Sequence, residues 1–566
     1  MKENTVLELR NYSLSFDTGQ QRITALNGLN LSIEKGKTLG LVGESGSGKS
    51  LTSLSIMGLL PPIKNLKQEG EILFRKKSGE IISLTQLSSS SFAPLRGSNI
   101  SMVFQEPMSA LNPVMRCGEQ VAEVLSAHES IPKKQAREKV LGIFDAVKLP
   151  DPQKAFDAWP HELSGGQRQR IVIAMAIVAA PSLIIADEPT TALDVTVQRS
   201  ILTLLKGLQE EMGLSMLFIS HDLGVIAEIA HHTAVMLKGE IVEQGKTEEL
   251  LQNPQHAYTK GLIACKPPLN AKPHRLMTVA SFMQGENPSR EKEVNQYKSF
   301  SEAGNEKLLE VKNIQVYYKN AAHSEFHALK NISIGIQKGE SVGLVGESGC
   351  GKSTLGRSII GLNSVREGEI FYKGRDLLSL NGRERKVYSK NIQLIFQDPF
   401  SSLNPLIRIG EAIEEPLLVH FPAMNAAARK ERVKQLLQQV GLNESHYKRY
   451  PHEFSGGQRQ RIVIARALSV EPELIICDES VAALDVSIQA QILNLLNDLK
   501  DQFGFTYLFI SHDLSVVKYF CDHVYVMKKG EIVESGLAEN VFNHPQENYT
   551  RELINAIPGK KFTFKP

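Results

Sequence analysis

Cysteine, tryptophan and net charge are all scarce in this chain. Five cysteines among 566 residues (Cys117, Cys265, Cys350, Cys477 and Cys521) are odd in number and scattered. That pattern builds neither a disulfide framework nor a zinc module, and it fits a reducing compartment. A net charge of +2 and a pI of about 8.1 argue against a nucleic-acid binder driven by phosphate neutralisation. No apolar run approaches the ~20 residues of a membrane span. The most tempting, Ile171–Ala180, has half that length. The N-terminal stretch MKENTVLELRNYSLSF lacks the apolar core of a signal peptide, so the chain is expected to stay in the cytoplasm. What remains is ordinary soluble composition, 42% hydrophobic and 22% charged, long enough for roughly two to four domains.

What the chain has in abundance is itself. Pro160–Asp194 reads PHELSGGQRQRIVIAMAIVAAPSLIIADEPTTALD. It returns 291 residues later as PHEFSGGQRQRIVIARALSVEPELIICDESVAALD, Pro451–Asp485, with 24 of 35 positions identical. A repeat of that length means two copies of one device. In each block a short apolar run ends in two acids, Asp187-Glu188 and Asp478-Glu479. Such a run reads as a buried parallel strand. Acids at its C-terminal end face the crevice where open α/β sheets bind ligands. The helix before it opens on Ser164-Gly165-Gly166-Gln167, and in copy two on Ser455-Gly456-Gly457-Gln458. Glycines allow close backbone approach, and a helix start attracts anions.

Upstream, the strand Thr38–Val42 leads into Gly43-Glu44-Ser45-Gly46-Ser47-Gly48-Lys49-Ser50, followed by Leu51. This is the P-loop pattern in its strand–loop–helix context. Backbone amides cradle phosphates, Lys49 reaches the β- and γ-phosphates, and the Ser50 hydroxyl suits Mg²⁺. Copy two supplies Gly346-Glu347-Ser348-Gly349-Cys350-Gly351-Lys352-Ser353, followed by Thr354. Gln105 and Gln397 each end a later strand, where an amide can coordinate Mg²⁺ or orient a water. His221 and His512 each follow a strand at the same 291-residue shift, downstream of an acid pair, which favours a γ-phosphate contact. Phe16 and Tyr318 precede the two loops. Each reads either as a core aromatic or as a platform for a purine ring.

Several expectations concern organisation. Residues 5–15 and Leu26–Ile33 alternate and predict edge strands of an antiparallel sheet. Residues 62–98, where the copies diverge in length, predict a surface loop. Residues 114–160 and 406–450 predict helical insertions. Each copy closes on a β-rich tail and a shared piece, His256-Ala257-Tyr258-Thr259-Lys260-Gly261-Leu262 against Glu547-Asn548-Tyr549-Thr550-Arg551-Glu552-Leu553. Between the copies the polar stretch 270–305 predicts a linker joining residues 1–269 to residues 306–566. The basic run Lys560–Lys565 predicts a solvated end.

The motif set resembles the ATP-binding-cassette ATPases, in order and twice. It includes aromatic platform, P-loop, Q-loop glutamine, LSGGQ signature, acid-ended strand, D-loop (Ala192-Leu193-Asp194; Ala483-Leu484-Asp485) and switch histidine. That resemblance implies two α/β cassettes, each with a RecA-like mostly parallel sheet, an antiparallel β subdomain and a helical insertion. It also implies head-to-tail pairing, with each ATP between one P-loop and the other copy's Ser-Gly-Gly helix, and fusion makes that pairing intramolecular. Asp187 and Asp478 would help hold Mg²⁺, and Glu188 and Glu479 would polarise the attacking water. Gln105, Gln397, His221 and His512 would sense the γ-phosphate. Both copies keep these groups, so two competent sites are expected. Ser480 in place of Pro189 and Phe454 in place of Leu163 touch only the symmetry of rate.

VGESGSGKS, FQEPMSALNP, PHELSGGQRQR, DEPTTALDV and HAYTKGL look most like ATPase subunits of peptide-type importers (oligopeptide, dipeptide, nickel, glutathione, microcin C). ATP and Mg²⁺, two transmembrane permeases, an extracytoplasmic binding protein and a place on the cytoplasmic face of the inner membrane are then implied, with no nucleic acid. A tandem cassette acting at the ribosome is the alternative. Those typically carry a DEPTNHLD-like block and a longer charged helical linker.

Overall fold

The computed structural model describes residues 1–17, 22–62, 65–191, 193–285, 306–319, 325–482 and 484–560. Each copy contains one six-stranded sheet and one four-stranded sheet. In the first large sheet the order is Glu240–Lys246, His232–Leu237, Thr38–Val42, Ser215–Ser220, Leu183–Asp187, Ile100–Val103. Only the outermost pair at the 240–246 edge is antiparallel; the other strands run parallel. The second copy repeats this with Ser341–Val345 between Thr506–Ile510 and His523–Lys528. Every residue of Thr38–Val42, Leu183–Asp187 and Leu474–Asp478 is buried, as expected of strands covered on both faces. This arrangement brings the P-loop, the acid pair and the histidine to the C-terminal ends of neighbouring strands.

The small sheet corrects two expectations. Thr5–Asp17 is not an edge strand: it pairs with Arg22–Glu34 on one side and Lys67–Arg75 on the other. Nor are residues 62–98 a plain loop. They supply strands Lys67–Arg75 and Ile81–Ser83 and bury Ile72, Phe74, Leu84, Phe92 and Leu95 under the sheet. The charged start of KQEGEILFR lies exposed, and the apolar half alternates into the core.

The predicted helical insertions are present as Cys117–His128 with Lys133–Ala146, and Ile409–His420 with Ala426–Gln439. The following long helices, Val195–Met212 and Val486–Phe503, stop at left-handed Gly213 and Gly504. One contiguous cluster of buried apolar residues takes in members of both copies, from Val42 to Val279 and from Val345 to Ile557, while each copy keeps a second cluster of its own beneath its small sheet. The halves therefore share a core.

The predicted linker begins as structure. Residues 270–285 include the helix Val279–Met283, and Arg275, Leu276 and His274 bond to the second half. Residues 286–305 lie outside the described residues, as do 561–566 and so most of the basic C-terminal run; Lys560 itself bonds to Asn555. Among the described residues no helix is long and apolar enough to cross a membrane.

Candidate functional site

The strand Thr38–Val42 aims its C-terminal end at the loop Gly43–Ser50, and the helix Lys49–Met57 starts inside that loop. A side chain at Gly43 would meet the Met236 carbonyl at 2.3 Å, and at Gly346 the Met527 carbonyl at 2.1 Å. The loop thus passes too close to the neighbouring strand for any other residue. Lys49 Nζ donates to the Gly43 and Glu44 carbonyls at 2.7 and 2.9 Å, and Lys352 Nζ to those of Gly346 and Glu347, both at 2.8 Å. Burial lowers the Lys49 ammonium pKa, against the pull of Glu188 and Asp485. Ser47 and Cys350 fill the same buried position.

Beside each loop the acid pair meets the glutamine and the histidine. Glu188 Oε2 accepts from Gln105 Nε2 at 3.3 Å and Thr191 Oγ1 at 2.9 Å, and lies 3.2 Å from His221 Nδ1. Glu479 Oε2 accepts from Gln397 Nε2 at 2.7 Å and pairs with His512 Nδ1 at 3.3 Å. Both glutamates have left-handed backbones, φ 46° and 50°, a conformation that costs a non-glycine residue about 1–2 kcal/mol. The turn swings their carboxylates out of the strand, toward the loop. Burial would raise the Glu188 pKa, but the His221 hydrogen bond and charge, with Thr191 and Lys49, bring it down to about 2. The same pairing raises His221 although burial opposes it, and His512 and Glu479 shift in the same senses. Each glutamate thus favours the protonated form of its histidine, and each histidine favours the ionised form of its glutamate.

Asp187 and Asp478 are buried, and desolvation raises both. Asp478 Oδ1 accepts from the Ser353 hydroxyl at 2.7 Å, and Asp187 Oδ2 from Ser53 at 3.4 Å. Among the described residues Asp187 Oδ1 is buried without a hydrogen-bond partner. A serine hydroxyl, a strand-end carboxylate and a nearby amide are the sparse oxygen set that suits Mg²⁺, which keeps waters and phosphates as its other ligands. No cluster of three or more acidic, His or Cys side chains that could hold a metal by themselves occurs among the described residues.

The remaining predicted residues divide. The Tyr318 hydroxyl bonds Thr354 Oγ1 at 3.3 Å, which puts that aromatic beside the loop helix. Phe16 occupies the matching end of its strand, opposite Ile23. The Ser-Gly-Gly-Gln turns satisfy themselves: Ser164 N–H donates to Gln167 Oε1 at 2.9 Å and Gln167 N–H to Ser164 Oγ at 3.3 Å. Copy two does the same with Ser455 and Gln458. Among the described residues no hydrogen bond joins these turns to a phosphate loop. Their glycines differ in purpose. A side chain at Gly166 or Gly457 would strike Val197 at 2.7 Å or Ile488 at 2.4 Å, whereas Gly165 and Gly456 have nothing nearer than 3.9 Å. The second glycine seats the helix and the first leaves the turn open.

At the phosphate loops the halves are bridged by the residue after each acid strand's turn. Ser45 N–H donates to Asp485 at 3.1 Å, and Ser348 N–H to Asp194 at 3.3 Å. Beside them Thr196 Oγ1 donates to Glu347 at 3.0 Å, and the Ser487 hydroxyl donates to Glu44. Each phosphate loop is therefore completed by the other half. Ala192 and Ala483, which belong to those two turns, lie outside the described residues. Sequence reasoning assigned nothing to Thr191, Thr196, Ser487, Tyr258 or Tyr549. For the tyrosines a signal existed, since both closing pieces keep Tyr at the same place. Their hydroxyls accept the Glu44 and Glu347 amides at 3.0 and 3.1 Å.

Comparison with known proteins gives the same picture. The ABC transporter family model matches residues 26–191 and 329–482, and the oligopeptide/dipeptide transporter C-terminal region matches 242–294 and 533–562. The glutathione import ATP-binding protein GsiA of Pectobacterium atrosepticum is 44% identical over 564 residues, covering 99% of this chain and 90% of that protein. Its Escherichia coli K12 counterpart is 44% identical over 566 residues, covering 98% and 89%. A dimeric ATP-binding cassette solved in a post-hydrolysis state with ADP and Pi is 32% identical over 41% of this chain and 98% of its own, with a TM-score of 0.38. The doubled C-terminal region, matched in each half, sets aside the translation-associated alternative. The chain belongs to the ATP-binding-cassette ATPases, as a fused tandem nucleotide-binding, ATP-hydrolysing subunit of the peptide-type importers.

Proposed function

We propose that the chain powers uptake of small peptides of the glutathione kind from two coupled ATP sites, working on two transmembrane permeases fed by an extracytoplasmic binding protein. Its place is then peripheral, on the cytoplasmic face of the inner membrane. The solute class follows from the 44% identity to glutathione importers across nearly the whole chain. Residues 1–269 and 306–566 act as the two cassettes with their extensions, joined through 270–305. The observation that carries the coupling is the reciprocal cross-half cap, Asp485 on Ser45 and Asp194 on Ser348.

In each site the loop amides and Lys49 or Lys352 hold the β- and γ-phosphates, with Phe16 or Tyr318 against the base. Ser50, Asp187 and Gln105, or Ser353, Asp478 and Gln397, would hold Mg²⁺, which would neutralise phosphate charge. Glu188 and Glu479, kept ionised, accept a hydrogen bond from the attacking water and orient it in line. Gln105 and His221, bonded to the same carboxylate oxygen, report the γ-phosphate to it, as Gln397 and His512 do in the other half. Positioning and charge neutralisation are what phosphoryl transfer needs. Ser164–Gln167 and Ser455–Gln458 close over the nucleotide of the opposite half, with their open first glycines facing it.

The test is reconstitution with the permeases in vesicles. Glutathione-loaded binding protein is expected to raise ATP turnover severalfold. Unchanged turnover, with stimulation by an unrelated solute such as a sugar, would overturn the solute class.

A further inference from the structure

The C-terminal extensions carry contacts that the reading above does not use. In the first half the helix Ala257–Ala264 buries Tyr258 completely, and its hydroxyl accepts the Glu44 N–H at 3.0 Å. That amide belongs to the peptide groups whose carbonyls, at Gly43 and Glu44, hold Lys49 Nζ. The tyrosine therefore fixes the loop from outside. Continuing along the chain, the same extension leaves its own half. Leu276 N–H donates to Asn494 Oδ1 at 2.8 Å, and Asn494 Nδ2 returns a bond to Leu276 O at 2.9 Å. Arg275 forks onto both oxygens of Asp498 at 2.8 and 3.0 Å. Both partners lie on the long helix Val486–Phe503 of the second half, whose N-terminal end carries Ser487 against Glu44.

The second extension does the mirror operation. Tyr549 accepts the Glu347 N–H at 3.1 Å. Farther on, the Asn555 carbonyl accepts from Arg199 at 2.6 Å, and Gly559 N–H donates to Glu228 at 3.1 Å, both in the first half. Arg199 again sits on the long helix following the acid strand.

We infer that each C-terminal extension is a strut, anchored at one end by its tyrosine hydroxyl to its own phosphate loop and at the other to the opposite half. Tyr258 and Tyr549 are then positioning residues: they hold the loop amide, and their hold depends on the distant anchor. A buried helix that merely filled space would place its tyrosine hydroxyl on any available partner. Here both hydroxyls, 291 residues apart, take the same loop amide. Both extensions then cross to the other half. A buried hydroxyl that accepts a loop N–H cannot be lost without leaving that donor unpaired.

The strut rests on the loops being nucleotide sites, and the experiment separates the two. The full chain carrying Lys352→Ala, which confines tight binding to the first loop, is titrated with a fluorescent ATP analogue. Tyr258→Phe, which keeps the ring, is expected to weaken binding about tenfold, about 1.4 kcal/mol. Asn494→Ala, at the far anchor, is expected to weaken it about threefold. The double variant should match Tyr258→Phe alone, because one strut is already cut. Arg275→Ala provides a second far-anchor variant that leaves the buried amide pair intact, with a smaller loss in the same direction. Thermal melts of each chain show whether a loss of binding is a loss of fold. Binding within twofold of the parent for Tyr258→Phe, or additive losses in the double variant, would overturn the strut. A Lys352→Ala chain that binds no analogue would instead overturn the reading of the first loop as a nucleotide site, and the strut with it.

Discussion

Glu188 and Glu479 occupy the same left-handed turn, yet their carboxylates are held differently. Glu188 has three partners on one oxygen, including the Thr191 hydroxyl; where Thr191 stands, the second half has Ala482. Glu479 keeps the glutamine and histidine only, with the glutamine closer, 2.7 Å against 3.3 Å. The metal-side acids differ in the opposite sense. Asp478 is tied to the loop serine Ser353 at 2.7 Å, while Asp187 reaches Ser53 at 3.4 Å and, among the described residues, keeps an unpaired oxygen. The residue after each histidine differs in its support too: Asp222 is bridged by Lys266 at 3.0 Å, and Asp513 by the Ser515 hydroxyl at 2.6 Å. Two sites that share the loop lysine and serine, the glutamine, the acid pair and the histidine can thus differ through the residues around them. Ser480, which replaces Pro189, is buried beside this same turn, and among the described residues its hydroxyl has no partner.

Substituting the loop lysines separately probes the comparison hardest. Lys49→Ala and Lys352→Ala are each expected to weaken ATP binding at their own site by about a hundredfold, since each removes the charge aimed at the phosphates. Equilibrium binding with two resolvable sites measures it, and equal loss of both sites from one substitution would break the picture of separately built loops. Next in size are the seated glycines. Gly457→Ala, whose methyl would fall 2.4 Å from Ile488, is expected to destabilise by about 2–3 kcal/mol, and Gly166→Ala, at 2.7 Å from Val197, by somewhat less, as overpacking does. Denaturant unfolding ranks them, and the reverse order would contradict the packing.

Thr191→Ala makes the first site resemble the second. Losing one hydroxyl on the carboxylate is worth about 1 kcal/mol, so turnover should fall by about fivefold or less. The smallest effect is on pH. The depressed Glu188 stabilises the fold above its ordinary value of 4.5 and loses that contribution as pH falls toward about 2. The raised His221 contributes fully below its ordinary 6.5 and loses its share as pH climbs through its raised value. The stability gap between the parent and His221→Gln should therefore be widest between those two ordinary values and narrow toward pH 9 and toward pH 2. A gap that widens on the alkaline side would contradict the ion pair.

Most of the site was legible because its chemistry is local. The P-loop, the acid-ended strand, the strand-end glutamine and the histidine are each short patterns, and a parallel sheet gathers strand ends without further instruction. The two-cassette α/β architecture followed from the repeat. What escaped depends on neighbours distant in sequence. The alternation in residues 5–15 reports one buried face but not whether one strand or two lie alongside, so an interior strand read as an edge. The charged start of Lys67–Arg75 hid a strand in what read as a loop. Asp485 meets Ser45 across 440 residues and Tyr258 meets Glu44 across 214, and no local pattern encodes either pairing. Residues 270–305 read as linker from composition alone, whereas Leu276 finds its partner in Asn494 of the other half.

The central claim is that two catalytic sites work as one coupled unit across the shared core. ATP hydrolysis by the purified chain, by Glu188→Gln and by Glu479→Gln tests it most directly. Each single change is expected to remove nearly all turnover, by a factor on the order of 10²–10⁴, as loss of a catalytic base does. Retention of about half the parent rate by either variant would contradict the account, showing sites that fire independently despite Asp485 and Asp194 reaching across to each other's loops.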